Sequence, residues 1–280
     1  MLRIPASLRD LTKPSGRTLV AMALLFWQSV YAALPEHSVS PSQQFIVYGG
    51  DRPLRGAVSQ LAERTKSNLL RLLRRPDDWK TVIVINLQTP QVNLPEVPLA
   101  ELRFSQTGFG LKLQLDLIVG TNVDASLVER ELLRAILLEM IYHRKPDLPA
   151  GAVYVQPPDW VVDGIQALVP GRDRSELIDA LSITNKTVSL REFLQPQPIS
   201  DLDSTTRALF RAYSFALVQL LVDLADGRSQ LSRYIDSLST CSNDPLSDLQ
   251  AQVPALRNDA EALWKSKLAE IKSARQHELL

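Results

Sequence analysis

The spacing of apolar and polar residues divides the chain into a strand-rich first part and a helical second part. "QQFIVYGG" alternates and is rich in β-formers, which predicts a strand over Phe45 to Tyr48. Asp51 is placed to cap the following helix, with Pro53 in its first turn. Leu54, Val58, Leu61, Leu69, Leu70 and Leu73 then recur at helical spacing. "TVIVINLQ" is a continuous apolar run, as expected of a strand covered on both faces. Pro90, Pro95 and Pro98 mark a loop. "ELRFSQ" and "GLKLQLDLIV" predict two further strands joined by a turn at "TGFG". In the second of these, Leu111, Leu113, Leu115 and Leu117 face one way and Lys112, Gln114 and Asp116 the other. That alternation suits a sheet with one wet face and suggests an edge strand.

From about Ser126 to His143 the period changes to helical, with Asp124 or Ser126 as the cap and Pro146 and Pro149 as the stop. "DWVVDGIQALV" reads as a short helix entered after two prolines. Arg172 to Leu181 and Leu190 to Leu194 read as further short helices, and Ser204 to Ala225 as a long one that Gly227 ends. "SQLSRYIDSLS" and "DAEALWKSKLAEIKSARQ" complete the helical part. The order predicts an α+β fold: a mostly antiparallel sheet with helices over 43–150, then a helical part over 151–280.

Composition narrows the chemistry. The chain has 280 residues, 45% of them apolar, enough for a sizeable core. Formal net charge is zero, so no basic field argues for a nucleic-acid partner. A single cysteine, Cys241, excludes an intrachain disulfide and a cysteine-built zinc site. The first 32 residues have the anatomy of a secretory signal: Arg3, Arg9, Lys13 and Arg17 lead into "TLVAMALLFW", and Val30 and Ala32 suit cleavage after Ala32. The apolar run is short of the roughly 20 residues of a spanning helix. An exported protein of the periplasm or cell envelope is expected, touching the membrane only if this segment is kept as an anchor.

The buried-looking helix "LLRAILLEMIYHRKP" places Glu139 among leucines, which is costly unless the carboxylate is satisfied. Downstream, "PPDWVVDGIQAL" carries Trp160, Asp163 and Gly164. Together with the order of elements, these motifs resemble the gluzincin group of zinc metallopeptidases, specifically the bacterial peptidase-MA-like proteins. In that group a sheet precedes a helix with His-Glu-x-x-His, and the next helix supplies a glutamate ligand within Trp-x-x-Glu-Gly. The resemblance implies that "LEMIY" fills the first motif: Leu138 and Tyr142 stand at the two histidine positions and Glu139 at the general base. Asp163 replaces the third ligand, and Tyr213 matches a tyrosine of a later helix.

Leucine offers zinc no donor, and a phenol is protonated at neutral pH. The expectation is therefore a degenerate peptidase with no zinc or other cofactor and no catalytic residue, and with a binding or scaffolding role. An extended peptide or protein segment would add at the 110–118 strand. The alternative is an active metallohydrolase with a shifted site at Glu139, His143 and Asp163, since His143 lies one turn after Glu139. A purely structural envelope protein is a third possibility. Each site residue also has a plain structural role open to it. Glu139 could bond Tyr142, Tyr213, Arg134 or a backbone amide, and His143 could sit at the helix end, where positive charge suits the dipole. Asp163 could be a helix-start carboxylate, and Trp160 and Tyr213 core residues. Elsewhere Cys241 lacks a neighbouring histidine, "GGDRPLRG" lacks a phosphate-loop pattern, no Gly-x-Ser-x-Gly elbow occurs, and "NKT" at Asn185 matches a glycosylation acceptor.

Overall fold

A computed structural model describes residues 36–79, 81–90, 98–107, 110–120, 124–143, 154–184, 187–196 and 202–278. The signal-like segment, the tip of the "TGFG" turn, Pro146, Pro149 and Asn185 lie outside the described residues.

Two short strands open the fold. β1 (His37–Val39) runs antiparallel to β2 (Phe45–Gly49). The sequence pattern does not single out β1. Helix α1 (Arg52–Leu73) follows, and the Asp51 carboxylate accepts the Leu54 amide at 2.8 Å, as the capping pattern predicts. The helix returns the chain so that β3 (Ile83–Gln88) lies parallel to β2. β4 (Ala100–Thr107) and β5 (Gly110–Ile118) form an antiparallel hairpin. β5 is inserted beside β3 in parallel, which gives the order β1-β2-β3-β5-β4.

The α+β order stands, and the sheet is mixed rather than mostly antiparallel. Helix α1 supplies one parallel crossover, and the long β3–β4 connection lets β5 enter parallel to β3. A second correction concerns β5. It is interior, hydrogen-bonded to β3 on one side and β4 on the other, so the 110–118 strand offers no free edge to a peptide. Alternation along a strand reports a wet face, not an edge. The wet face here carries its own network. Gln114 donates to Asp116 at 2.8 Å, and Arg103 pairs with Asp116 at 3.2 Å and Glu101 at 2.8 Å.

The other sheet face presents Phe45, Val47, Ile83, Ile85, Leu87, Leu113, Leu115 and Leu117 to the core. Helix α2 (Ala125–Tyr142) touches β4 and β5 and also the helical half, so it is buried from both sides. Asp124 caps it through the Ser126 amide at 2.8 Å. The helical half comprises α3 (Asp159–Ala167), α4 (Ser175–Ile183), α5 (Leu190–Phe193), α6 (Ser204–Asp223), α7 (Gly227–Ser237), α8 (Pro245–Gln252) and α9 (Leu256–Glu278). Gly227 opens α7 rather than closing α6: a Cβ there would lie 1.8 Å from the Leu221 carbonyl oxygen, so only glycine lets the chain turn this tightly. The described residues from His37 onward pack as one compact unit. Among the described residues no single helix is long and apolar enough to cross a membrane.

Candidate functional site

Helix α3 is short and tightly seated. A Cβ on Gly164 would lie 2.4 Å from both the Ser214 carbonyl oxygen and a Val218 methyl group, so α3 and α6 pack at glycine distance. Trp160 is buried, with its ring 5.7 Å from that of Tyr234. Gln166 donates to the Ser126 carbonyl at 2.7 Å, and Arg172 pairs with Glu129, which ties the far end of α3 to the start of α2. These contacts fix the face of α3 that bears Asp159 and Asp163 against the face of α2 that bears Arg130 and Arg134. Each pair is four residues apart, so each forms a stripe on one helix face.

The two stripes interlock. Arg130 Nε donates to Asp163 Oδ1 at 2.6 Å, one Nη reaches Asp159 at 2.9 Å, and the other reaches Glu131 at 2.9 Å. Arg134 donates to Glu131 at 3.1 Å and to Asp159 at 2.7 Å. The Asp163 side chain is only 2% exposed. Burial opposes the charge on Arg130, but the hydrogen bond to Asp163 and the charges of Asp163, Glu131 and Asp159 outweigh it and hold the guanidinium above its ordinary pKa. Two guanidiniums therefore meet three carboxylates in one network, which leaves one net negative charge.

This network borders a cavity of about 490 Å³ whose other wall is the start of α6, with Arg207 and Arg211, again four residues apart. Both are exposed. Arg207 donates to the Leu202 carbonyl at 3.0 Å. Arg211 has no hydrogen bond or ion pair among the described residues. A second cavity of about 580 Å³ adjoins the first and shares Arg134 and Asp159 with it. Pro157, Trp160, Phe193, Phe210 and Tyr234 give it an aromatic, largely apolar lining, with Cys241 at its wall.

The residues expected at the "LEMIY" motif lie elsewhere. Leu138 is fully buried in the core. Glu139 is 2% exposed and accepts the Thr81 amide at 3.4 Å, where the chain enters β3. Tyr142 packs on Phe104 and Tyr154, and its hydroxyl accepts the Val155 amide at 2.7 Å. Burial raises its pKa, and the amide bond offsets part of that rise. It thereby anchors the segment that leads into Pro157 and Pro158. His143 ends α2 with Nδ1 3.0 Å from the Met140 carbonyl. Tyr213 lies in the helical core against Phe193 and Trp264, its phenol pushed up by burial.

Asp163 does not join these residues. Its partner is Arg130, eight residues and about 12 Å along α2 from Leu138 at 1.5 Å per residue. Glu139, His143 and Asp163 are therefore not brought together, and among the described residues no group of three or more His, Cys, Asp or Glu side chains is placed to hold a metal ion. Nor do the donors near Asp163 fit zinc, because guanidinium nitrogens bear protons and no lone pair. Sequence reasoning missed Arg130, Glu131, Asp159, Arg207 and Arg211, and named Arg134 only as a possible partner of Glu139. The signal for Arg130, Glu131 and Arg134 was present in "RELLR", which has the same spacing as His-Glu-x-x-His and also lies ahead of the Trp-x-x-Asp-Gly motif. No protein-family model and no curated protein matches the chain.

Proposed function

We propose that the protein is an exported, non-catalytic relative of the gluzincin peptidases that keeps the cleft as a binding site. One observation carries this reading: Asp163, at the third-ligand position of the resemblance, is closed by Arg130 at 2.6 Å. It also favours a different register within α2: Asp163 meets Arg130, and the neighbouring Asp159 meets Arg130 and Arg134, so on this reading the degenerate motif is "RELLR" and not "LEMIY". Two arginines then stand at the imidazole positions, and their charges do internally what a divalent cation would do for the surrounding carboxylates. On this reading Glu131, at the general-base position, does not activate water, because both arginines engage it at 2.9 and 3.1 Å.

Metal analysis of the mature chain purified without a tag tests this. The expected result is no stoichiometric zinc and no casein cleavage. The paired variant Arg130→His/Arg134→His is expected to gain tight zinc, while Leu138→His/Tyr142→His is not. Stoichiometric zinc in the unaltered protein, with cleavage that a chelator abolishes, would overturn the reading.

A further inference from the structure

Three helices each deliver a pair of charged residues four apart to one cavity: Arg130 and Arg134 from α2, Asp159 and Asp163 from α3, Arg207 and Arg211 from α6. The first two pairs neutralise each other. The third makes no ion pair among the described residues. With Glu131 counted, the four guanidiniums exceed the three carboxylates by one. A clamp of two exposed guanidiniums on a wall whose acidic groups are already engaged is suited to an anion, and an excess of one charge matches a carboxylate better than a dianionic phosphate.

The adjoining chamber says what should be attached to that anion. Phe210 in its wall directly precedes Arg211 in the chain, and Trp160 in its wall lies on α3 between Asp159 and Asp163. A ligand that places a bulky apolar group against Phe210 and Trp160 therefore has its charged end beside Arg211. The chamber lies within the size range of small-ligand pockets, about 300–1,000 Å³, and has their usual apolar lining.

We propose that the cleft binds a peptide through a carboxylate on Arg207 and Arg211, with a neighbouring aromatic or large aliphatic side chain in the Trp160–Phe210–Tyr234 chamber. The carboxylate is either the peptide's C-terminus or an aspartate or glutamate side chain. This rests on the reading that the cleft binds without cutting.

The test is fluorescence anisotropy of the full mature chain with three labelled pentapeptides and a labelled, amidated phosphoserine pentapeptide for comparison. One ends in phenylalanine as a free acid, one is the same peptide amidated, and one is amidated with an aspartate beside the phenylalanine. Binding of the first alone assigns a C-terminal carboxylate, and binding of the third a side-chain carboxylate. Either supports the proposal if Arg207→Gln/Arg211→Gln weakens it by about tenfold or more, the size expected for losing charge-assisted hydrogen bonds. Both arginines are exposed, so the variant should fold; matching thermal unfolding checks this. Bound peptide should also slow alkylation of Cys241. Equal binding of the amidated peptide without aspartate, stronger binding of a phosphopeptide, or no binding by any peptide at 1 mM concentration (about 4 kcal/mol of affinity) would overturn the proposal. Failure here with no zinc and no hydrolysis leaves the non-catalytic reading standing, whereas chelator-sensitive hydrolysis removes that reading itself.

Discussion

Arg130→Ala is the most direct probe of the site. Among the described residues Arg130 is the partner of Asp163, through contacts at 2.6 and 3.5 Å. Glu131 and Asp159 keep Arg134 at 3.1 and 2.7 Å when Arg130 is truncated. The cost therefore falls on Asp163, left charged at 2% exposure. Removing one member of a buried ion pair costs about 3–5 kcal/mol, because the survivor's desolvation is no longer offset. The Arg130 side chain is 20% exposed, so water gains access once it is cut back, and the lower end, about 3 kcal/mol, is the expectation. For a chain of this size that lowers Tm by about 6–12 °C.

Urea unfolding at neutral pH measures the loss, and one further readout separates cause from mere disruption. Replacing Asp163 as well, in Arg130→Ala/Asp163→Asn, removes the stranded charge and should recover about half of the loss, the non-additivity expected of contacting groups. A change within about 0.5 kcal/mol, the range of ordinary surface substitutions, would refute the claim that Arg130 closes Asp163.

Other predictions follow from the same packing. Gly164→Ala forces a methyl to within 2.4 Å of the Ser214 carbonyl oxygen and should cost about 1–3 kcal/mol in urea unfolding; a neutral result would mean α3 and α6 are not in glycine contact. Burial and the charge of Asp248 push the Cys241 thiol up from 9.0, so its alkylation rate should still climb above pH 9, and Asp248→Asn should speed it at neutral pH. A rate plateauing at or below pH 9 would contradict that environment. Burial raises the Glu63 and Asp77 carboxyls, but hydrogen bonds from Ser40 and Ser42 to the first, and from Lys66 and Gln44 to the second, hold both below their ordinary 4.5 and 3.8. Their contribution is complete above those ordinary values and is lost as pH falls through the depressed ones. Asp77→Asn should therefore narrow the stability gap between pH 7 and pH 2, and an unchanged gap would show that Asp77 contributes nothing to it.

Most elements were legible in the sequence because their causes are local. Asp51 and Asp124 cap the helices they precede, and the Val-Ile run of β3 and the alternating leucines of β5 form strands. What the pattern did not carry is neighbourhood. β1 is three residues long, below the length at which alternation is a signal. Whether β5 lies at an edge depends on how β3 and β4 flank it, and no residue within β5 records that.

The site shows the same limit from the opposite side. Glu139 drew attention because a carboxylate among leucines is costly, yet one of its partners is an ordinary backbone amide at Thr81, supplied by a segment nearly sixty residues away in the chain. Arg130 and Glu131 drew none, and Arg134 only as a possible partner of Glu139, because charges three and four apart on a helix usually mark a solvated face. Here that face meets Asp159 and Asp163 of α3, and the charges are consumed within the fold. Charge on a helix face signals water only if nothing of opposite charge packs against it. The arginines that do face outward, Arg207 and Arg211, follow the same i,i+4 spacing as the pair that faces inward. Spacing therefore marks such stripes but not their partners. The partners decide which pair holds the protein together and which is free to hold something else.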